Sequence, residues 1–219
     1  MSSTQANLPV LGDRRARRRQ ETIEEILAIA EDVMNLEGAG GLSLSEIARR
    51  LGVKPPSIYK YFGSLMAIYD ALFARGQEAH LEAMRIAIDG AEPGFAALAA
   101  GLDASGRWCR DHPAMAQLMF WRPVPGFEPT PEAMAPSFEM VAIQRRALTA
   151  AVARGQLGAG ADSEEAILLI STMISGVIGQ VLANEPDLPW GEGRFSPLLP
   201  KLLDTLATIY PPKPGRRRA

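Results

Sequence analysis

Three places in the sequence combine residue types that enzymes use for covalent or phosphate chemistry. Cys109 stands three residues before His112, Asp103 stands two residues before Ser105, and residues 155–160 read GQLGAG. A serine nucleophile elbow needs glycine where this chain has Asp103. A phosphate-binding glycine loop follows a strand, whereas residues 155–160 follow a helical pattern. Cys109 and His112 lie three residues apart on a helix, which is chance spacing for a nucleophile and its base. We therefore expect no enzyme and no catalytic residue.

Metal and cofactor chemistry also finds little support in the composition. The chain has one cysteine, Cys109, and two histidines, His80 and His112, among 219 residues. A structural zinc site needs clustered Cys and His ligands, and a disulfide within the chain needs a second cysteine. We expect no metal and no cofactor, and the cysteine usage suits a reducing cytoplasm.

A different group of residues, between positions 43 and 61, has side chains suited to nucleic acid. Tyr59, Lys60 and Tyr61 are donors that suit phosphates, while Lys54 and Ser57 suit base edges. Two adjacent prolines offer apolar surface to a thymine methyl group. The candidate DNA contacts in this stretch are Ser43, Ser45, Lys54, Pro55, Pro56, Ser57, Tyr59, Lys60 and Tyr61.

A cluster of arginines near the N-terminus supports the same chemistry. The cluster consists of Arg14, Arg15, Arg17, Arg18 and Arg19. These cations lie at the positive end of a helix dipole, and a phosphate backbone nearby would explain them. We assign Arg17 and Arg18 to DNA contact; the alternative is a solvated arm that only aids solubility. The net charge of -2 is a whole-chain average, and DNA binding needs only a local basic patch.

Local signals show which elements position the residues between 43 and 61. Ser43 followed by Glu46 forms a capping box at the start of a helix, and Gly52 ends that helix. Pro55 is suited to the first turn of the next short helix, in which Ile58 and Phe62 face inward. Two helices joined by so short a turn form a helix-turn-helix, whose second helix can enter the major groove.

The remaining chain also reads as helical. A first helix spans about Arg15 to Glu37, Ser64 caps a longer helix, and further helices are expected at 94–111, 113–121, 136–154, 163–184 and 196–209. We therefore predict an all-α fold of about nine helices. The expected domains are a flexible arm (1–13), a three-helix DNA-binding domain (14–63), a helical ligand-binding and dimerisation domain (64–210) and a disordered tail (211–219).

The stretch from Ile26 to Phe73, above all GLSLSEIARRLGVKPPSIYKYFGS, resembles the TetR family of transcriptional regulators. The resemblance implies a homodimeric repressor that binds a palindromic double-stranded DNA operator. A small-molecule inducer is expected to release it from that operator. It also implies that Ser57, Tyr59 and Tyr61 occupy DNA-contacting positions. This chain departs from the family by having Lys54 where Ser or Thr is frequent and Leu65 where Lys is frequent.

The C-terminal half offers candidates for the ligand and the dimer partner. Methionine and aromatic side chains adapt to apolar ligands, although at helical spacing they also form plain core. The candidate ligand residues are Trp108, Met115, Met119, Phe120, Trp121, Phe127, Phe138, Met140 and Met173. Because few charges accompany them, we expect an unknown apolar or amphipathic ligand.

Small residues repeat every four positions in the helix 163–184, where they let two helices approach closely. With the helix 196–209 this pattern predicts a four-helix dimer interface; the alternative is packing within one chain. The candidate interface residues are Ser171, Ser175, Gly179, Ala183, Leu202 and Leu206.

Residues 166–184 carry no charge and approach the length of a membrane span. Acidic flanks and several polar residues favour a buried helix instead, so we expect no membrane partner and a cytoplasmic protein. The alternative function is a helix-turn-helix that serves as a protein-interaction module without an inducer.

Overall fold

The computed structural model describes residues 11–212, with the side chains of 11–13 excepted. Within that range every regular element is helical, which confirms the all-α prediction. The chain divides into two compact units between Leu72 and Phe73, inside a helix. The predicted domain boundary at residue 63 is nine residues earlier. Residues 1–10 of the predicted arm and 213–219 of the predicted tail lie outside the described range.

The first unit contains helix α1 (Leu11–Glu37), helix α2 (Leu44–Leu51), a 3-10 helix (Pro55–Lys60) and the start of helix α3 (Leu65–Asp89). Helix α1 already begins at Leu11, which corrects the flexible-arm prediction for residues 11–13. Its buried stripe includes Ile26, Ala30 and Val33, spaced as an amphipathic helix requires.

The start of α3 belongs to the first unit because its side chains are buried there. Ile68, Tyr69 and Leu72 are all nearly inaccessible to solvent. The Tyr69 hydroxyl donates a hydrogen bond to the Ala39 carbonyl at 2.9 Å. This packing explains why the unit extends past the end of the helix-turn-helix.

The second unit contains the rest of α3 and five further α-helices. These are α4 (Phe95–Asp111), α5 (Pro113–Phe120), α6 (Pro131–Ala153), α7 (Glu164–Asn184) and α8 (Leu199–Ile209), with a short 3-10 turn at Ser196–Leu198 before α8. Ile and Val side chains of α7 pack with α4 and α8 in the main core.

Helix α6 begins five residues earlier than the sequence predicted. Thr130 caps it by accepting a hydrogen bond from the Ala133 N–H at 3.2 Å, and Pro131 occupies the first turn. Pro136 lies in the second turn, where its ring removes one helical hydrogen bond without ending the helix. The predicted long proline-rich connection is therefore limited to residues 121–130.

Helix α7 is long and apolar enough to cross a membrane by length and composition. Ser163 caps it through the Ala166 N–H at 3.2 Å. One face, including Ile170, Ile174 and Val177, is buried in the second unit, whereas Leu168 on another face is 60% exposed. The buried face is that of a core helix. The exposure of Leu168 is not explained by packing within the chain.

Candidate nucleic-acid interface and ligand cavity

The turn between α2 and the 3-10 helix is set by local hydrogen bonds. Ser43 caps α2 by accepting from the Glu46 N–H at 3.2 Å. Gly52 ends α2 in the left-handed conformation, with φ 71°, and the following Val53 N–H bonds to the Ala48 carbonyl at 2.9 Å. This is the αL helix ending that glycine favours.

The Glu46 side chain does not complete the predicted capping box. Its carboxylate accepts hydrogen bonds from Arg49 at 2.7–2.8 Å and from Arg50 at 2.6 Å. These two hydrogen-bonded guanidinium groups hold the pKa of Glu46 down to about 2. Both arginines are therefore partly neutralised, and they are weaker candidates for phosphate contact than unpaired cations.

The predicted recognition helix is a 3-10 helix rather than an α-helix. The Ser57 N–H bonds to the Lys54 carbonyl at 2.8 Å and the Tyr61 N–H to the Ile58 carbonyl at 2.9 Å. Ile58 and Phe62 are buried, as predicted, and anchor the segment to the first unit.

The candidate DNA contacts between 43 and 61 lie on the outside of this segment. The exposed residues are Ser43, Ser45, Lys54, Pro55, Pro56, Tyr59 and Lys60, and the half-buried ones are Ser57 and Tyr61. Tyr59 keeps 55% of its surface exposed, although it is a large aromatic residue. Large exposed side chains beside exposed cations favour an external partner over a role in the core.

The surroundings of the N-terminal arginines differ from one arginine to the next. The Arg19 guanidinium donates to the Lys60 carbonyl at 3.1 Å and lies 5.4 Å from the Tyr61 ring centroid. It therefore fastens α1 to the end of the 3-10 helix. Arg17 pairs with Glu21 at 3.1 Å in solvent, and Arg18 is exposed.

A cavity of about 240 Å³ lies inside the second unit. Three of its walls are apolar side chains that the sequence assigned to a ligand, namely Met119, Phe120 and Met140. Its other walls are Phe73, Gln77, His80, Met84, Ser105, Arg122, Met134, Ser137, Val141, Gln144, Ser171, Ile174, Ser175 and Ile178.

The cavity contains a buried polar cluster that sequence reasoning did not assign. His80 Nε2 lies 2.8 Å from the Ser105 hydroxyl oxygen, and the rings of Trp108 and Phe120 flank His80 at centroid distances of 5.1 and 5.7 Å. Burial lowers the pKa of His80 to about 4, so the ring is neutral at pH 7. Gln77 and Gln144 are also buried.

A sequence signal for this cluster does exist. Phe73, Gln77, His80 and Met84 are spaced i, i+4, i+7 and i+11, which places them on one stripe of α3. Polar residues in an otherwise apolar stripe are exceptions that call for a reason. The predicted ligand residues are methionines and aromatics, so this prediction does not include the polar residues of the stripe.

The other predicted ligand residues do not line this cavity. Met115 and Phe127 are buried in the core, and Phe127 lies 6.0 Å from the Phe73 ring. Trp108 packs against the His80 ring, Met173 is half-buried, and Trp121 and Phe138 are exposed. Methionines and aromatics at helical spacing fill cores as readily as pockets, which accounts for the difference.

The residues predicted for the dimer interface lie in different surroundings. Ser171 and Ser175 border the cavity, Ala183 is exposed, and Leu202 is half-buried. Leu206 is 1% exposed in the core of its own chain, which corrects its assignment to a dimer interface. A Cβ at Gly179 would meet the Trp121 ring at 3.4 Å, so this position already packs within the chain.

Cys109, which is not expected to act as a nucleophile, is fully buried. Burial raises the pKa of its thiol to about 12, so the reactive thiolate is scarce at neutral pH. Within residues 14–212, no three His, Cys, Asp or Glu side chains come together in a way that could hold a metal ion.

Comparison with protein-family models matches both units. Residues 26–72 match the bacterial regulatory proteins of the tetR family, and residues 98–189 match the tetracyclin repressor-like C-terminal domain. The chain belongs to the TetR family. TetR-family proteins are DNA-binding regulators rather than enzymes, in agreement with the expectation drawn from residues 103–112 and 155–160.

Individual relatives add detail to the TetR assignment. The HTH-type transcriptional regulator YobS of Bacillus subtilis is 34% identical over 55 residues, which span 25% of this chain and 29% of YobS. A protein with unknown function from Rhodococcus sp. RHA1 shares the fold, with a TM-score of 0.72 and 24% identity over 86% of this chain and 94% of that one.

A third similar protein has been solved with a ligand. The regulator FadR of Bacillus subtilis, in complex with stearoyl-CoA, has a TM-score of 0.64 and 20% identity over 84% of this chain and 96% of that one. At this identity the similarity supports the TetR fold of the present chain and leaves its ligand open.

Proposed function

We propose that this protein is a cytoplasmic, dimeric repressor that binds a palindromic DNA operator through residues 43–61 and is released by a small molecule bound in the second unit. The observation that carries the proposal is the helix-turn-helix itself. Its turn is fixed by Ser43 and Gly52, while Lys54, Tyr59 and Lys60 are exposed on its outer side.

The exposed side chains have distinct expected roles. Tyr59 and Lys60 bind phosphate and position the protein on the duplex. Lys54 and Ser57, at the N-terminal end of the 3-10 helix, reach base edges. Six residues form this helix, so few side chains can read bases, and a dimer that reads two half-sites compensates for this.

Salt-dependent binding to mixed-sequence duplex DNA tests the interface without knowledge of the operator. Each phosphate neutralised by a cation contributes to the slope of log affinity against log salt. Lys60→Ala is expected to weaken binding and to reduce that slope by about one. Arg85→Ala, which removes an exposed cation from the second unit, is the matched control. An unchanged slope for Lys60→Ala would remove Lys60 from the interface.

The cavity supports the sensing half of the proposal. Its volume of about 240 Å³ lies below the range of about 300–1,000 Å³ typical of drug-sized ligands. A long acyl chain such as that of stearoyl-CoA, seen with Bacillus subtilis FadR, exceeds this space. Buried polar residues beside apolar walls favour a small amphipathic ligand over a purely apolar one.

A further inference from the structure

The cavity in the second unit contains polar atoms that have no partner in the described part of the chain. These atoms are Gln77 Oε1, His80 Nδ1 and Gln144 Oε1. Their residues are 4%, 3% and 9% exposed, and all three line the cavity. Buried polar atoms without hydrogen bonds destabilise the folded chain. Three of them around one cavity indicate that the cavity is built to receive a hydrogen-bonding molecule.

The orphan atoms specify which hydrogen-bonding groups fit. An amide oxygen only accepts, so Gln77 and Gln144 each call for an O–H or N–H donor. His80 is adaptable because its Nε2 is bonded to the Ser105 hydroxyl. If Ser105 donates to Nε2, the proton of the neutral ring is on Nδ1; if Ser105 accepts, Nδ1 is free to accept as well.

The charges of the residues that line the cavity restrict the class of ligand further. Among the described residues that line the cavity, Arg122 has the only fixed formal charge, and its side chain is exposed at the rim. A cationic ligand would find no carboxylate in this lining. The apolar walls, among them Met84, Met119 and Met140, are suited to a hydrocarbon body.

We propose that the cavity binds a small molecule without a positive charge that donates at least two hydrogen bonds, to Gln77 and Gln144, and packs its apolar part against the methionines. Hydroxylated aromatic compounds and small polyols with an apolar body belong to this class. The inference rests on the sensing role proposed above for the second unit. It adds the chemical class of the ligand and the residues that select it.

Four probes of one-ring size distinguish the possible chemistries. A cavity of about 150 Å³ accommodates benzene, so one of about 240 Å³ accommodates a ring with two small substituents. Resorcinol has two donors, 1,3-dimethoxybenzene has acceptors only, m-xylene has neither, and benzylammonium is a cation. Affinities are measured by calorimetry on the full chain at pH 7.5 without DNA.

Wild type is expected to bind resorcinol at least tenfold more tightly than each of the other probes. Gln77→Met with Gln144→Met is expected to remove that preference and to leave the affinity for m-xylene unchanged or higher. Gln117→Met, at an exposed position of α5, is the matched control and is expected to keep the preference. Circular dichroism establishes that each variant is folded.

The proposal is overturned by the ranking in wild type alone, so it does not depend on the double variant folding. Equal or tighter binding of m-xylene, 1,3-dimethoxybenzene or benzylammonium contradicts it, and so does failure of all four probes to bind. Because no DNA is present, these outcomes leave the DNA-binding proposal untouched. Loss of DNA binding in Lys60→Ala would in turn leave the ligand class untouched.

Discussion

His80 is a buried titratable residue whose surroundings contain no charged partner within the described hydrogen bonds and ring contacts. It meets the Ser105 hydroxyl and the rings of Trp108 and Phe120. Desolvation lowers its pKa from 6.5 to about 4. In the unfolded chain the ring regains its ordinary pKa, so between these values the unfolded state binds more protons than the folded state.

Acid is therefore expected to destabilise the second unit through His80. The contribution is fully present above about pH 6.5 and is lost as the pH falls from there towards 4. Thermal melts between pH 7.5 and 4.5 measure it. His80→Gln is expected to flatten the decline, whereas His112→Gln, at an exposed position, is expected to keep the wild-type slope.

If the stability of His80→Gln falls with pH as steeply as that of wild type, other groups cause the acid sensitivity. Carboxylates whose pKa values are lowered affect the stability of the folded chain over a lower range of pH than His80 does. Glu46, with a pKa of about 2, loses its stabilising pairs only at still lower pH. The two effects can therefore be separated along the pH axis.

Gly52 controls the turn of the helix-turn-helix. It has φ 71°, and a Cβ there would meet no atom within 4 Å. The strain of Gly52→Ala is therefore purely backbone strain, about 1–2 kcal/mol for an L-residue in the left-handed region. Gly63 has the same open surroundings without a left-handed φ.

Gly52→Ala is expected to lower the opening free energy of the α2 amides by about 1–2 kcal/mol. Hydrogen exchange of those amides in the full chain measures it. Gly63→Ala is the control and is expected to change them little. Equal effects of the two substitutions would show that chain entropy, and not the left-handed conformation, sets the stability of the turn.

The sequence predicted the elements whose signals are local. Ser43, Gly52 and Ser64 cap or end their helices as expected, because a cap is decided within three or four residues. The start of α6 differs from the prediction because proline does not always break a helix, and Thr130 and Pro131 form a normal helix start. The capping box predicted for Glu46 does not form because Arg49 and Arg50 bind the Glu46 carboxylate instead.

The cavity could be predicted only in part, because its walls come from five helices. Met119 and Met140 were identified by residue type. The contact between His80 and Ser105 joins residues 25 positions apart, and no local pattern encodes it. Spacing within α3 marks Gln77 and His80 as exceptional, yet it does not show what they face.

The exposed stripe of α7 is the best candidate for contact with a second copy. Leu168, Thr172, Ser175 and Ala183 fall on this stripe and are exposed, Leu168 to 60%. A two-fold dimer would bury them against the same stripe of its partner. In such a dimer the apolar residues of α7 would serve two interfaces, one within the chain and one between chains.

Leu168→Glu is expected to convert the proposed dimer to a monomer, because two carboxylates would be buried near the two-fold axis. Sedimentation velocity measures the change from twice the chain mass to 23.6 kDa. Leu36→Glu replaces a residue on α1 that is 74% exposed, and it is expected to leave the mass unchanged. A dimer that persists in Leu168→Glu would place the interface elsewhere.

Selection of bound sequences from random duplex DNA, with the full chain, tests whether the protein binds DNA as a dimer. A dimeric helix-turn-helix regulator is expected to enrich a palindrome whose half-sites lie about one helical turn, ~34 Å, or a multiple of it apart. Ser57→Ala or Lys54→Ala is expected to change the preferred bases within each half-site. A selection that enriches no motif, or a single half-site without a repeat, would contradict DNA binding by a dimer of this chain.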